Sequence, residues 1–143
     1  MDPAVIETVA KYFFFTALDE RLSFAASLRV LAELKNKNWI DVENRHRWVE
    51  VLSKWKPRAR AFAPRSWSES PADKGFVFPP GFDLSLWISF QTAGEPQEVE
   101  AVLLSKVLGF TDDEIARGLN VTPGTVRYRL GRGLRHLGGY IES

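Results

Sequence analysis

The chain has 143 residues, a formal net charge of +1 and no cysteine. Its 45% hydrophobic and 26% charged residues are typical of a globular protein and exclude an intrinsically disordered chain. The lack of cysteine excludes a disulfide framework and a thiolate metal site. Because the sequence has no signal-peptide pattern and no run of roughly 20 apolar residues, we expect a cytoplasmic protein without a membrane span.

The small net charge conceals two basic stretches. Residues 35–65 contain nine lysines and arginines against three acidic residues, and residues 120–137 contain four arginines and no acidic residue. This segregation predicts local basic surfaces that would meet a polyanion, rather than a uniformly basic protein.

Two helices are predicted in the first quarter of the chain. Asp2 and Pro3 favour the start of the first, which should end near Thr16, because a carboxylate caps free N–H groups and proline suits the first turn. The second should follow Asp19 and end near Lys35. Apolar residues at helical spacing predict two buried stripes: Val5, Val9 and Phe13 in the first helix, and Phe24, Leu28 and Leu31 in the second.

A third helix fits between Ile40 and Lys56, where Pro57 would close it. Its apolar residues fall at i, i+4 and i+7 among arginines and other polar residues: Trp48, Leu52 and Trp55. Two interpretations remain open. The aromatic and basic side chains contact nucleic acid by stacking and phosphate pairing, or the tryptophans form a core stripe beside a solvated basic face.

Residues 58–82 predict a linker between an N-terminal helical domain, residues 1–57, and a C-terminal domain, residues 83–143. The segment is rich in proline and serine and has no sustained periodicity. Residues 82–90 alternate like a strand and also fit a helix. Because nothing else in the chain alternates convincingly, a short helix and an all-α fold are predicted.

The C-terminal stretch predicts three helices with a tight turn between the last two. Pro96 opens the first of them, and Gly109 can adopt the positive φ that ends it. Thr111 should cap the next helix, and Glu114, three residues further on, would complete a capping box. A turn at residues 120–121 should then lead into the last helix.

That last helix, Pro123 to Leu137, is predicted to read DNA. Its apolar residues lie within roughly 80° of one another at about 100° per residue. They should form its core face: Val126, Leu130, Leu134 and Leu137. Four arginines without an acidic residue are unusual for an ordinary solvated face, where mixed charges form i,i+4 pairs.

The polar side of the same helix and its start supply the candidate DNA-binding residues. A helix that enters the major groove by its N-terminus brings its early side chains to base edges. We expect base contacts from Thr125, Tyr128, Arg129 and Arg132. Phosphate contacts are expected at the helix start that Thr122 caps, and from Arg127 and Arg135.

Residues 104–130, LSKVLGFTDDEIARGLNVTPGTVRYRL, resemble region 4 of the sigma-70 family, especially its extracytoplasmic-function group. The similarity covers about Asp83 to Leu137, with the EIA, GTV and RL elements at the spacing typical of that region. The resemblance implies a helix-turn-helix that binds the minus-35 promoter element and contacts the flap of core RNA polymerase.

The front half resembles a degenerate sigma region 2. The resemblance lies in Ala17-Leu18, in Ala25-Ala26 and in Trp39-Ile40. The acidic DLVQ segment with which the family contacts the polymerase clamp is absent, and Ser27-Leu28-Arg29-Val30 stands in its place. No promoter-melting residue is therefore assigned to this chain.

The sequence thus predicts a sigma-like transcription factor that binds double-stranded DNA and core RNA polymerase. The alternative is a sigma mimic that holds polymerase or an anti-sigma partner without reading DNA. An enzyme is disfavoured because the only histidines, His46 and His136, show no metal-ligand spacing, and the acidic residues 112–114 suit a helix N-terminus. No catalytic residue, cofactor or metal is predicted.

Overall fold

The computed structural model describes residues 2–58 and 84–142, and every regular element within these residues is helical. The α-helices are α1 (Pro3–Ala17), α2 (Glu20–Asn36), α3 (Arg45–Trp55), α4 (Leu84–Ala93), α5 (Pro96–Val102), α6 (Asp112–Leu119) and α7 (Pro123–Glu142). A 3-10 turn, Val42–Asn44, precedes α3, and a π-helical turn, Leu103–Val107, continues α5. The all-α fold class is confirmed, and residues 84–90 of the ambiguous segment are helical.

The predicted linker, residues 58–82, lies outside the described residues except for Arg58. The division into domains 1–57 and 83–143 therefore stays a prediction. Within the described residues, one apolar cluster contains buried side chains from both of these parts, among them Trp48 of α3 and Ile115 of α6.

Short polar caps fix the first two helices where the sequence predicts them. The Asp2 carboxylate accepts from the N–H of Ala4 at 2.9 Å. Asp19 accepts from the N–H groups of Arg21 and Leu22, at 2.9 and 3.3 Å. Because these carboxylates satisfy N–H groups that lack an intrahelical partner, both helices begin directly after them.

The helix α2 buries a different stripe from the one that its largest apolar residues predict. Phe24 is 67% exposed and Leu28 is 53% exposed, so the prediction was wrong for both. The buried stripe is spaced by four residues: Leu22, Ala26, Val30 and Leu34. Two serines join this side because their hydroxyls donate to backbone carbonyls, Ser23 to Ala10 at 3.2 Å and Ser27 to Ser23 at 2.6 Å.

The tryptophans of α3 take part in packing. Trp48 is buried, and its indole N–H donates to the carbonyl of Trp39 at 2.7 Å. Trp55 is half-buried and donates to Glu33 at 2.9 Å. The indole N–H groups are thus satisfied inside the protein, which supports the core-stripe interpretation of α3 over nucleic-acid stacking.

A close approach of α3 and α6 joins the front half to the C-terminal helices. A Cβ atom added at Gly118 would lie 2.5 Å from Cβ of Val49 and 2.6 Å from the carbonyl oxygen of His46. Beside this contact, Nε of Arg45 donates to Oε2 of Glu114 at 3.0 Å. Only glycine at position 118 leaves room for this helix spacing.

We expect Gly118→Ala to destabilise the protein by about 1–3 kcal/mol, because the added methyl group overpacks the contact between α3 and α6. Gly131→Ala is the matched control, since a Cβ added there meets no atom within 4 Å. The control should be neutral or stabilising by up to about 1 kcal/mol through helix propensity. Urea unfolding measures both changes, and equal stability of the two variants would contradict the close approach.

His46 lies at the same contact, and its surroundings lead us to expect that the stability of the fold depends on pH. Burial and the nearby Arg117 and Arg47 lower the pKa of His46 below 6.5. Nη2 of Arg117 lies 3.4 Å from Nε2 of His46, where a neutral imidazole can accept. Because the folded state disfavours the protonated ring, stability is complete above the unfolded pKa and falls as the pH decreases through it.

We therefore expect His46→Gln to lose less stability than the wild type as the pH falls from about 8 to about 5. The measurement is the free energy of unfolding in urea across this range. Both proteins retain His136, so the substitution at position 46 is the only difference between them. Parallel pH profiles would show that the surroundings of His46 do not disfavour its charge.

Candidate nucleic-acid interface

The helix before the helix-turn-helix ends as the sequence predicts. Gly109 adopts φ of 78°, a left-handed conformation that glycine accepts without steric cost. The N–H of Phe110 then donates to the carbonyl of Leu104 at 2.9 Å. This turn buries the Phe110 ring edge-on against Trp48, with ring centroids 6.5 Å apart. The chain is thereby directed from α5 into α6.

The predicted capping box at the start of α6 is confirmed. Oγ1 of Thr111 accepts from the N–H of Glu114 at 3.1 Å, and Oε1 of Glu114 accepts from the N–H of Thr111 at 2.9 Å. The second carboxylate oxygen of Glu114 accepts from Arg45, so one side chain serves both the cap and the contact with α3. On the inner side of α6, Ile115 and Ala116 are buried.

A left-handed residue forms the turn between α6 and α7. Asn120 has φ of 59°, and the N–H of the next residue, Val121, donates to the carbonyl of Ala116 at 3.0 Å. Oγ1 of Thr122 then accepts from the N–H of Thr125 at 3.1 Å, which caps α7. The turn predicted at residues 120–121 is therefore present, and it sets α7 across α6 as a helix-turn-helix requires.

The core face of α7 agrees with the prediction in part. Val126 is buried, and Leu130 and Leu137 are partly buried against the core. Leu134 is 37% exposed, so its assignment to the core was wrong. The buried position in this turn of the helix is Gly133.

Leu134 is exposed because α7 crosses α5 closely at Gly133. A Cβ atom added at Gly133 would lie 2.7 Å from Cγ2 of Val102 and 2.9 Å from the carbonyl oxygen of Glu98. Because the backbone of α7 touches α5 at Gly133, the next side chain, Leu134, lies about 100° further around the helix and projects outward. A glycine inside a helical pattern is the sequence signal that could have revealed this crossing.

The candidate DNA-binding residues lie along the start and the outer side of α7. Four of them are exposed: Thr122, Arg127, Tyr128 and Arg135. Three are partly buried: Thr125, Arg129 and Arg132. The hydroxyls of the two threonines lie 2.9 Å apart at the helix start.

Two of these arginines have acidic neighbours of different kinds. Nη1 of Arg127 lies 3.9 Å from Oδ2 of Asp112, with both side chains well exposed, so this pair contributes little stability. Nε of Arg132 donates to Oε2 of the buried Glu98 at 2.9 Å. The hydrogen bond that Arg132 donates to Glu98, and secondly the neighbouring Tyr128, raise the pKa of Arg132 above its usual value.

The sequence did not predict the contribution of Glu98, whose partners lie in another helix. Besides Arg132, Nδ1 of His136 lies 3.0 Å from Oε1 of Glu98. Among residues 2–58 and 84–142, no group of three or more metal-ligating side chains could hold a metal ion. In the same described residues, no helix is both long enough and apolar enough to cross a membrane.

Comparison with known families places this geometry in context. Residues 95–137, from the cap of α5 to Leu137 of α7, match the family model described as sigma-70, region 4. No curated protein and no solved structure gives a significant match to the chain. The matched segment contains the capping box, the left-handed turn and the basic helix. The helix-turn-helix of this chain is therefore similar to region 4 of the sigma-70 family over 43 of the 143 residues.

Proposed function

We propose that the protein is a sigma-like transcription factor that binds promoter DNA through α7 and contacts core RNA polymerase. The observation that carries the proposal is the outer face of α7. Its inner side is held by Val126 and Gly133, while Arg127, Tyr128 and Arg135 are exposed on a helix without an acidic residue in its first turn.

The early side chains of α7 have the chemistry for base contacts in the major groove. Guanidinium groups pair with the two acceptors of guanine, and hydroxyls donate to or accept from several base edges. Thr125, Tyr128 and Arg129 lie in the first two turns, which enter the groove first when a recognition helix docks. These three residues are therefore the proposed base contacts.

Phosphate contacts belong to the rim of this face. Among the described residues, the acidic partner of Arg127 is Asp112, in a long and exposed pair that a phosphate can replace at little cost. The first turn of α7 has no acidic residue, whereas the first turn of α6 holds three. The start of α7 thus suits a phosphate better than the start of α6.

The alternative function, a sigma mimic that holds a protein partner, is favoured by one observation. Phe24 and Leu28 lie exposed on the same side of α2, where large apolar side chains suit a protein contact. Such a contact would involve polymerase or an anti-sigma protein and would not require α7 to read DNA.

Fluorescence anisotropy on a duplex selected by the wild type from a randomised pool, and on a random duplex, tests DNA reading. Arg127→Ala should lower the affinity for both duplexes alike and reduce the slope of log K against log salt by about 1. Arg129→Ala should cost about 1–3 kcal/mol on the selected duplex alone, and Tyr128→Ala should likewise relax the preference.

The matched control is Lys11→Ala, which removes an exposed base on α1 that pairs only with Glu7 at 2.7 Å among the contacts described. It should leave both affinities unchanged. If the wild type binds no duplex even at low salt, DNA reading is excluded. Equal losses on both duplexes for Arg127, Tyr128 and Arg129 variants would contradict the division into base and phosphate contacts.

Retention on immobilised core RNA polymerase tests the second half of the proposal. We expect the wild type to be retained without DNA, because residues 95–137 resemble sigma region 4 and this resemblance implies contact with the polymerase flap. The double variant Phe24→Ser, Leu28→Ser changes only exposed side chains and should be retained equally. Retention that is lost in this variant, together with absent duplex binding, would favour the sigma mimic instead.

A further inference from the structure

A buried carboxylate lies between α5 and the proposed recognition helix. The side chain of Glu98 is only 8% exposed, on the side of α5 that faces α7. A carboxylate removed from water needs charged or hydrogen-bonding partners to remain ionised. Those partners come from α7.

The carboxylate of Glu98 faces two side chains that lie one turn apart on α7, and among the described residues only its Oε2 accepts a hydrogen bond. Nε of Arg132 donates to Oε2 at 2.9 Å, and Nδ1 of His136 lies 3.0 Å from Oε1. Gly133, between them, brings the backbone of α7 against the carbonyl of Glu98. The position of Arg132 is therefore fixed by both an ion pair and a close backbone contact.

Arg132 also lies beside Tyr128, one of the proposed base contacts. Its guanidinium carbon lies 5.8 Å from the ring centroid of Tyr128, one turn earlier on α7. Tyr128 is 64% exposed. A planar cation over an aromatic ring restricts the orientation of that ring.

We propose that Arg132 is a positioning residue for sequence preference and not a base contact: Glu98 holds Arg132, and Arg132 holds the ring of Tyr128. This inference rests on the proposed function, since it requires α7 to read duplex DNA. To reach a base, Arg132 would have to break its hydrogen bond with Glu98. The buried carboxylate would then lose this partner. An arginine held in this way acts through its neighbour.

The test compares the selected duplex with the random duplex for Glu98→Gln, Arg132→Met and the double variant. Glu98→Gln keeps the shape of the side chain but removes the charge that holds Arg132. We expect each variant to lower the affinity ratio of the two duplexes by about tenfold, the value of one base contact. The double variant should lose no more than either single variant, because both break one linkage.

The opposite result has a distinct pattern. If Arg132 itself contacts DNA, Glu98→Gln releases the arginine and leaves the affinity ratio unchanged or higher. Arg132→Met would then reduce the slope of log K against log salt by about 1. Either finding would overturn the positioning role.

A control and a second variant separate positioning from general loss of stability. Glu100→Gln makes the same chemical change on α5, but Glu100 interacts with Tyr12 at 3.4 Å and Ser53 at 3.2 Å. It should reduce the unfolding midpoint and leave the affinity ratio unchanged. Should Glu98→Gln fail to fold, Arg132→Lys keeps a cation for Glu98, removes the planar group over Tyr128, and should still lower the ratio.

Failure of this inference and failure of the proposed function give different results. A wild type that shows no preference between duplexes overturns both. A wild type with a clear preference that Glu98→Gln and Arg132→Lys both retain overturns the positioning role alone.

Discussion

The crossing of α7 over α5 is the constraint on which the orientation of the proposed DNA-binding side chains depends. The backbone contact at Gly133 sets the rotation of α7 about its own axis. That rotation directs Leu134 outward, brings Arg132 and His136 to the buried Glu98, and leaves Tyr128 in solvent. A helix rotated by the difference of one residue, about 100°, would present another set of side chains to a ligand. The chemistry of the face thus follows from a glycine that contributes no side chain to it.

A second close contact supports α6, the first helix of the helix-turn-helix. It is made by α3, which belongs to the front half of the chain. Gly118 lets α6 lie against α3, and Arg45 shares the carboxylate of Glu114 with the capping box. The start of α6 is therefore stabilised both by its own cap and by a side chain distant in sequence. Packing at Gly118 and one ion pair thus connect α3 to the start of the helix-turn-helix.

The two basic stretches have different roles in the structure. Three bases of the first stretch pair with acidic side chains of the protein: Lys37 and Lys54 pair with Glu33, and Arg45 pairs with Glu114. On α7, by contrast, the ion pair of Arg127 in the described part of the chain is long and exposed, and Arg135 is exposed. The composition of both stretches is basic, but only the second presents its charge along a helix that matches a DNA-binding family. Charge counting alone could not separate them.

The sequence by itself determined the features that depend on neighbours within a turn or two. These include the caps at Asp19 and Thr111, the glycine stop at Gly109, the turn into α7 and the region 4 motif. The tertiary structure decided which side of α2 is buried, the exposure of Leu134 and the pairing of Glu98. Caps and turns are formed by nearby backbone groups, whose spacing is visible in the chain. Which apolar stripe of a helix is buried depends on the helix that lies opposite, and so does the partner of a buried carboxylate. The opposite helix is determined only when distant segments of the chain pack together.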